Sequence, residues 1–178
     1  MFVAKWKRPV IGIQLTASAT MRTWPDYYIK TLILLLNEVG FDVLLLDTKD
    51  NIEKFMGNFE GKVLTPYENG ILTAASLVAH CKLVIAPDSA FIYIADALGI
   101  PVLGLYGPFA GQLRAKGLTA YTLESSSKCR NCQIHTPLPC LKSEDNYSPC
   151  LKALTPETVF SSIKHILTRN INETKSNS

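Results

Sequence analysis

Short apolar runs alternate with segments whose apolar residues recur every three or four positions, from Pro9 to Tyr106. Pro9–Leu15 (PVIGIQL) is apolar and rich in β-branched residues, which predicts a strand. Thr23-Trp24-Pro25-Asp26 then carries the marks of a helix start, with proline near the first helical position and an acid in the first turn. Tyr28, Ile29, Leu32, Ile33, Leu36 and Val39 follow at helical spacing, and Gly40 supplies the stop. Phe41–Leu46 is almost continuously apolar, as a parallel strand covered on both faces must be. Residues 47–60 are polar and irregular, with a short helix expected around Ile52–Met56, and Val63-Leu64 reads as a weak strand. Ile71–Ala79 is predicted helical, with small residues at Ala74, Ala75 and Ala79 suited to close packing on a sheet. Leu83–Ala86 is the next strand, Pro87-Asp88-Ser89 a turn, and Ala90–Leu98 a helix ended by Gly99. Pro101–Tyr106 is a further strand, closed by Gly107-Pro108.

Strands alternating with helices over short connections predict an α/β fold with an open, mostly parallel, doubly wound sheet. No internal repeat is visible. From Glu124 to Cys150 the periodicity disappears and Ser, Cys and Pro dominate. Thr155-Pro156-Glu157 opens a final amphipathic helix running to about Leu167, and residues 169–178 are polar and expected to be disordered. A chain of 178 residues holds one domain with a full core and is short for two. The expected organisation is one domain over residues 1–168, with residues 124–150 as a cysteine-rich loop segment.

Composition adds limits. The chain is 47% hydrophobic and 19% charged, which is ordinary for a globular protein. A net charge of +3, scattered apart from Lys5, Lys7 and Arg8, gives no reason to expect a nucleic-acid partner. No apolar run approaches the roughly 18 residues of a membrane span. The first residues lack the apolar core of a signal peptide, so the expected location is the cytoplasm.

In open α/β sheets, ligands bind beyond the carboxyl ends of the strands. Three loops fall there. Residues 15–24 (LTASATMRTW) carry hydroxyls at Thr16, Ser18, Thr20 and Thr23, together with Arg22. Hydroxyls and a guanidinium beside a helix start suit a pyrophosphate, and equally the hydroxyls could only cap the helix. In Pro87-Asp88-Ser89-Ala90, Asp88 or Ser89 is either an N-cap or, with the N–H groups after it, a phosphate contact. In Gly104–Phe109, glycine at a strand end allows a ligand close to the backbone, or makes a plain tight turn. Neither G-x-G-x-x-G nor G-x-x-x-x-G-K-[ST] occurs, which disfavours the usual dinucleotide and P-loop sites.

The run LVIAPDSAFIYIADALGIPVLGLYGPF, Leu83–Phe109, resembles the signature of the heptosyltransferase-like glycosyltransferases, glycosyltransferase family nine. That signature is an apolar strand, D-[ST]-G-x-x-H-x-A-x-A-L-x-x-P, a second apolar strand and [FY]-G-P. Asp88, Ser89, Ala95, Ala97, Leu98, Pro101, Tyr106, Gly107 and Pro108 match it in order and spacing. QLTASATMRTWP is similar to the family's hydroxyl-rich loop ending in K-x-W-P, with Arg22 in place of Lys and Trp24-Pro25 matching. The resemblance runs from about Pro9 to Leu167. It implies a Rossmann-like domain, one half of a GT-B glycosyltransferase, that binds a nucleotide-diphosphate sugar such as ADP-heptose.

Carried over residue by residue, the resemblance gives Ser18 and Arg22 the diphosphate, with Thr16 in the same loop. Ser89 and Ala90 would add donors at a helix N-terminus, and Asp88 would contact the sugar or orient the loop. Asp47 to Asp50 would face the nucleoside, where an acid holds ribose hydroxyls. Gly107 would let ligand approach the backbone. Departures are Tyr93 for the usual His, Ala90 for Gly, and Phe91 for a small residue or Pro. Tyr93 donates a hydrogen bond but carries no positive charge at neutral pH, and Phe91 would occupy ligand space.

Family enzymes pair two such domains, and the N-terminal one usually supplies the acceptor site and general base. This chain resembles the C-terminal half, and no residue in it is an evident catalytic base. The resemblance therefore implies an N-terminal acceptor domain or partner chain, a glycan or lipopolysaccharide-type acceptor, and peripheral membrane association of the full enzyme. The alternative is a non-catalytic module that kept the fold. An unrelated flavodoxin-like or epimerase-like domain is a third option, to be settled by strand order.

Cys129-x-x-Cys132, Cys140 and Cys150 form a separate constellation. A close pair plus two more cysteines could ligate a structural zinc, with His135 as a substitute ligand, or could be thiols, disulfides or an iron–sulfur site. The transfer chemistry itself requires no cofactor. Cys81, before a buried strand, reads as a packed thiol.

Overall fold

The computed structural model describes residues 6–65, 70–134 and 138–176. Six strands, β1 (Val10–Gln14), β2 (Asp42–Leu46), β3 (Val63–Leu64), β4 (Leu83–Pro87), β5 (Val102–Tyr106) and β6 (Tyr121–Glu124), form one sheet. Their order is β3-β2-β1-β4-β5-β6, and every pairing is parallel. This is the order of doubly wound dinucleotide-binding sheets and not the flavodoxin-like one, so the strand order reverses between β1 and β4. The predicted fold class is therefore the observed one.

Pleating divides each strand between two cores. Ile11, Ile13, Val43, Leu45, Leu83, Ile85, Leu103 and Leu105 project to one face, and Val10, Leu44, Leu46, Val84, Ala86, Val102 and Tyr106 to the other. Because both faces are covered, β4 and β5 are buried at every position, which is why they read as unbroken apolar runs.

On the first face lies α1 (Asp26–Glu38), which buries Ile29, Leu32, Ile33 and Leu36 of the predicted stripe, whereas Val39, just past its last turn, is exposed. Each such side chain contributes about 1.5–3 kcal/mol by burial. Beside it packs α7 (Pro156–Ser176) through Val159, Ile163 and Ile166. This helix continues past Leu167, where the apolar periodicity ends. On the second face, α3 (Ile71–Val78) and α4 (Ala90–Ala97) bury Val78, Ile92 and Ala95. Between β2 and β3, α2 (Lys49–Met56) starts three residues before the expected helix because Thr48 caps it, accepting from Asn51 N.

Beyond β5 come elements with little sequence signal. The one-turn helices α5 (Gly111–Arg114) and α6 (Pro149–Lys152) flank β6 and the cysteine segment. Three long-range hydrogen bonds tie the α6–α7 region to the rest. Ser148 Oγ donates to Met21 O at 2.6 Å, Trp24 Nε1 to Leu154 O at 2.9 Å, and Tyr28 OH to Lys152 O at 3.3 Å.

Candidate functional site

The loop leaving β1 and the turn leaving β4 meet at the point where the sheet changes direction. The first loop holds a single 3₁₀ turn, Thr20–Arg22, which buries Met21 and sends Arg22 toward β4. Arg22 Nη1 donates to both Asp88 O and Asp88 Oδ2 at 3.2 Å, and its Nη2 donates to Ser18 Oγ. The Arg22 and Asp88 side chains are only 15% and 10% exposed, so their attraction is screened less than a surface pair's.

Ser89 caps α4, accepting from Phe91 N at 3.4 Å, and its hydroxyl also donates to Gln14 Oε1. The helix thus begins at the cavity, with Ala90 in its first turn. Gln14, Ser18 and Arg22 line one side of a cavity of about 420 Å³. Asp88, Ser89, Ala90, Tyr93 and Arg114 line the rest. Six of the residues expected from the sequence, Ser18, Arg22, Asp88, Ser89, Ala90 and Tyr93, are therefore brought together.

Ser18 also lines a second cavity of about 460 Å³, together with Thr16, Asn51, Lys54 and Asp26. Burial pushes the Asp26 carboxyl above its ordinary pKa, opposed by the charge of Lys30. The two cavities adjoin through Ser18, one carrying guanidiniums and the other amide, hydroxyl and charged groups of both signs.

Three expectations change. Asp47 does not project into either cavity. Its Oδ2 accepts from Thr16 N at 2.9 Å and Thr16 Oγ1 at 2.8 Å, and its Oδ1 from Thr48 N at 2.8 Å and Asn51 Nδ2 at 2.6 Å. Four donors use the acceptor capacity of one carboxylate, so Asp47 pins the loop. Asp50 is exposed on α2 and lines neither cavity. Gly107 is buried away from the cavity, where an added Cβ would lie 2.8 Å from Cys150 Sγ and 3.0 Å from Leu151 Cγ, so its close approach is to α6. Phe91 turns into the second core and leaves the cavity open.

Tyr93 remains at the cavity, 48% exposed, but its hydroxyl donates to Arg114 O at 3.0 Å. Arg114 had no motif to mark it. Only its place just beyond the carboxyl end of β5 could have drawn notice. Its Nε lies 3.4 Å from Asp88 Oδ2, and its guanidinium stands 4.6 Å from the Phe109 ring centre, with that of Arg22 at 5.7 Å. Gln14, Asn51 and Lys54 likewise carry no motif of their own, and they line the cavities only through the packing of β1 and α2 against the loop after β1. Tyr106 is a core residue, its phenol held above the usual range by burial and then by the charge of Asp88.

The cysteine segment runs along the loop after β5. Asn131 N donates to Gly107 O and Gln133 N to Pro108 O, both at 2.9 Å. All five cysteines are free thiols. Cys129, Cys132 and Cys140 line an apolar cavity of about 460 Å³ with Ile134, Leu138 and Leu141. The Cys150 sulfur lies against Gly107, and burial, with a smaller contribution from the neighbouring Cys129, Cys132 and Cys140, pushes its thiol up to about 11. Among the described residues no group of three or more His, Cys, Asp or Glu is arranged to hold a metal ion, so the four cysteines as placed do not form a tetrahedral site. His135 lies outside the described residues.

Comparison with known proteins agrees with this architecture. The lipooligosaccharide heptosyltransferase 2 of Haemophilus influenzae is 25% identical over 92% of this chain and 49% of its own length. The solved ADP-heptose lipopolysaccharide heptosyltransferase II of E. coli superposes with a TM-score of 0.72 and 21% identity, over 95% of this chain and 49% of that one. An E. coli heptosyltransferase solved with ADP gives a TM-score of 0.62 at 17% identity, over 88% of this chain and 43% of that one. The chain spans about half the length of the curated relatives it matches. A family model described as glycosyltransferase family 9 (heptosyltransferase) matches residues 2–150, and with the sheet order and the meeting of its two signature loops this chain belongs to that family.

Proposed function

We propose that this chain is the donor-binding, C-terminal half of a glycosyltransferase that uses ADP-heptose or a related nucleotide-diphosphate sugar. The observation that carries this reading is the Arg22–Asp88 contact. It joins two signature loops 66 residues apart in sequence over a cavity at the carboxyl ends of β1 and β4. The diphosphate sits against Arg22, Ser18 and the first turn of α4, where a guanidinium and a helix N-terminus both favour negative charge. The nucleoside extends past Ser18 into the neighbouring cavity, toward Thr16, Asn51 and Lys54. The ADP bound by a structural neighbour supports an adenine nucleotide.

When a sugar leaves its diphosphate, negative charge grows on the leaving oxygens. Preorganised cations stabilise that charge more than they stabilise the bound donor. This chain provides that stabilisation and holds the donor in place. Activation of the acceptor hydroxyl falls to a base outside it, on an N-terminal domain that also binds a lipopolysaccharide-type acceptor. The full enzyme then works in the cytoplasm at a membrane surface. Among the described residues no helix is long and apolar enough to cross a membrane. The cysteine segment acts as a brace for the loop after β5.

Calorimetric titration of the 178-residue chain with ADP, UDP and GDP, repeated on Arg22→Ala, tests the reading. Selective binding of ADP, lost in the variant, is expected. A folded chain that binds none of the three is instead a non-catalytic module that has kept the fold.

A further inference from the structure

Asp88 is shared by two cations. A single oxygen, Oδ2, lies 3.2 Å from Arg22 Nη1 and 3.4 Å from Arg114 Nε. Two guanidiniums thus converge on one carboxylate oxygen. Both guanidiniums also stand over one ring, Phe109, which is 5% exposed. The Arg114 side chain is 35% exposed and lines the same cavity as Arg22.

The position of Arg114 is set from α4. Tyr93 OH donates to the Arg114 carbonyl at 3.0 Å, across 21 residues of sequence. Its hydroxyl hydrogen is spent on the protein backbone and not on a ligand. Tyr93 thus leaves the cavity without a charge from α4 and fixes the segment that brings a charge from α5.

We propose that Arg114, positioned by Tyr93, is a second diphosphate-binding side chain, acting with Arg22 as a two-guanidinium clamp over Asp88. The proposal rests on the donor-site reading above and adds to it a residue outside the signature loops. Arginine suits the role because its planar fork meets two phosphate oxygens at once, whereas the ammonium of lysine acts as a point charge. Asp88 then sits between the two guanidiniums, in ion-pair contact with both.

The test is titration of the 178-residue chain with ADP, AMP and inorganic pyrophosphate at several salt concentrations, for wild type, Arg114→Ala, Arg114→Lys and Tyr93→Phe. Arg114→Ala is expected to weaken ADP by about tenfold or more, as loss of a charged hydrogen-bonding partner does. AMP is expected to lose much less, and the salt dependence of ADP binding to become shallower. Arg114→Lys restores part of the affinity, and Tyr93→Phe gives a smaller loss confined to ADP and pyrophosphate. A folded Arg114→Ala protein that binds ADP with wild-type affinity and unchanged salt dependence overturns the proposal. Equal losses for ADP and AMP overturn it too, because they mark a structural role. Pyrophosphate separates the two readings. If wild type binds pyrophosphate through Arg114 but no nucleotide, the clamp stands and the nucleotide reading falls. If wild type binds neither, both fall.

Discussion

The indole N–H of Trp24 reaches across 130 residues of sequence to the carbonyl of Leu154, at 2.9 Å and out of contact with water. Trp24 sits two residues after Arg22, so this bond fastens the cavity loop to the segment that leads into α7. Trp24→Phe keeps most of the ring and strands the Leu154 oxygen. The expected loss is about 1–3 kcal/mol of stability, measured by urea denaturation. An unchanged midpoint would mean the carbonyl finds another donor.

Asp47 holds the same loop from the other side through Thr16. Asp47→Ala removes an acceptor from four donors at once. Nucleotide affinity should fall through loss of the loop's shape, and Thr16→Val, which deletes only the hydroxyl, should fall less. Equal affinity for Asp47→Ala and wild type would show that the loop holds its shape unaided.

A Cβ on Gly107 would lie 2.8 Å from Cys150 Sγ, closer than real Cβ atoms come, and 3.0 Å from Leu151 Cγ, where the leucine would have to give. Gly107→Ala is therefore expected to destabilise the fold by about 1–3 kcal/mol through overpacking. Combining it with Cys150→Ala, which removes the sulfur, should recover part of that loss. The coupling is read from a double-mutant cycle on the denaturation free energies.

Thiol chemistry separates the cysteines. Burial pushes Cys81 up to about 12 and Cys150 up to about 11, so both stay protonated at neutral pH. Native iodoacetamide labelling should modify Cys132 first, then the half-buried Cys129 and Cys140, and spare Cys81 and Cys150. In urea all five should react, as counted by intact mass.

The same shift makes stability depend on pH. Between the ordinary thiol value of 9.0 and about 12, Cys81 is protonated in the folded chain and ionised in the unfolded one. The native state binds more protons there, so stability is lost as pH rises through that window. Cys81→Ala should flatten the alkaline decline relative to wild type, and parallel slopes would assign the decline to other groups.

The α/β class, five of the six strands and the longer helices were legible in the chain because they depend on local periodicity and on caps such as Pro25, Thr155 and Gly99. The two loops of the site were legible too, since carboxyl ends of parallel strands are where ligands bind and Arg22, Asp88 and Ser89 stand there in a family pattern. β6 escaped notice because Tyr121–Glu124 is short, only partly buried at the sheet edge and without a full apolar run. The roles of individual residues needed the tertiary structure. Asp47 and Gly107 are a plausible ribose acid and ligand-facing glycine until Thr16 and Cys150 are seen to occupy them. Arg114 has no motif, and it joins the site only because Tyr93, Phe109 and Asp88 converge on it from other elements. Periodicity is carried by neighbours along the chain, so the sequence by itself determined the layers. Who shares a hydrogen bond or a charge is decided by neighbours in space, and those come from packing the sheet.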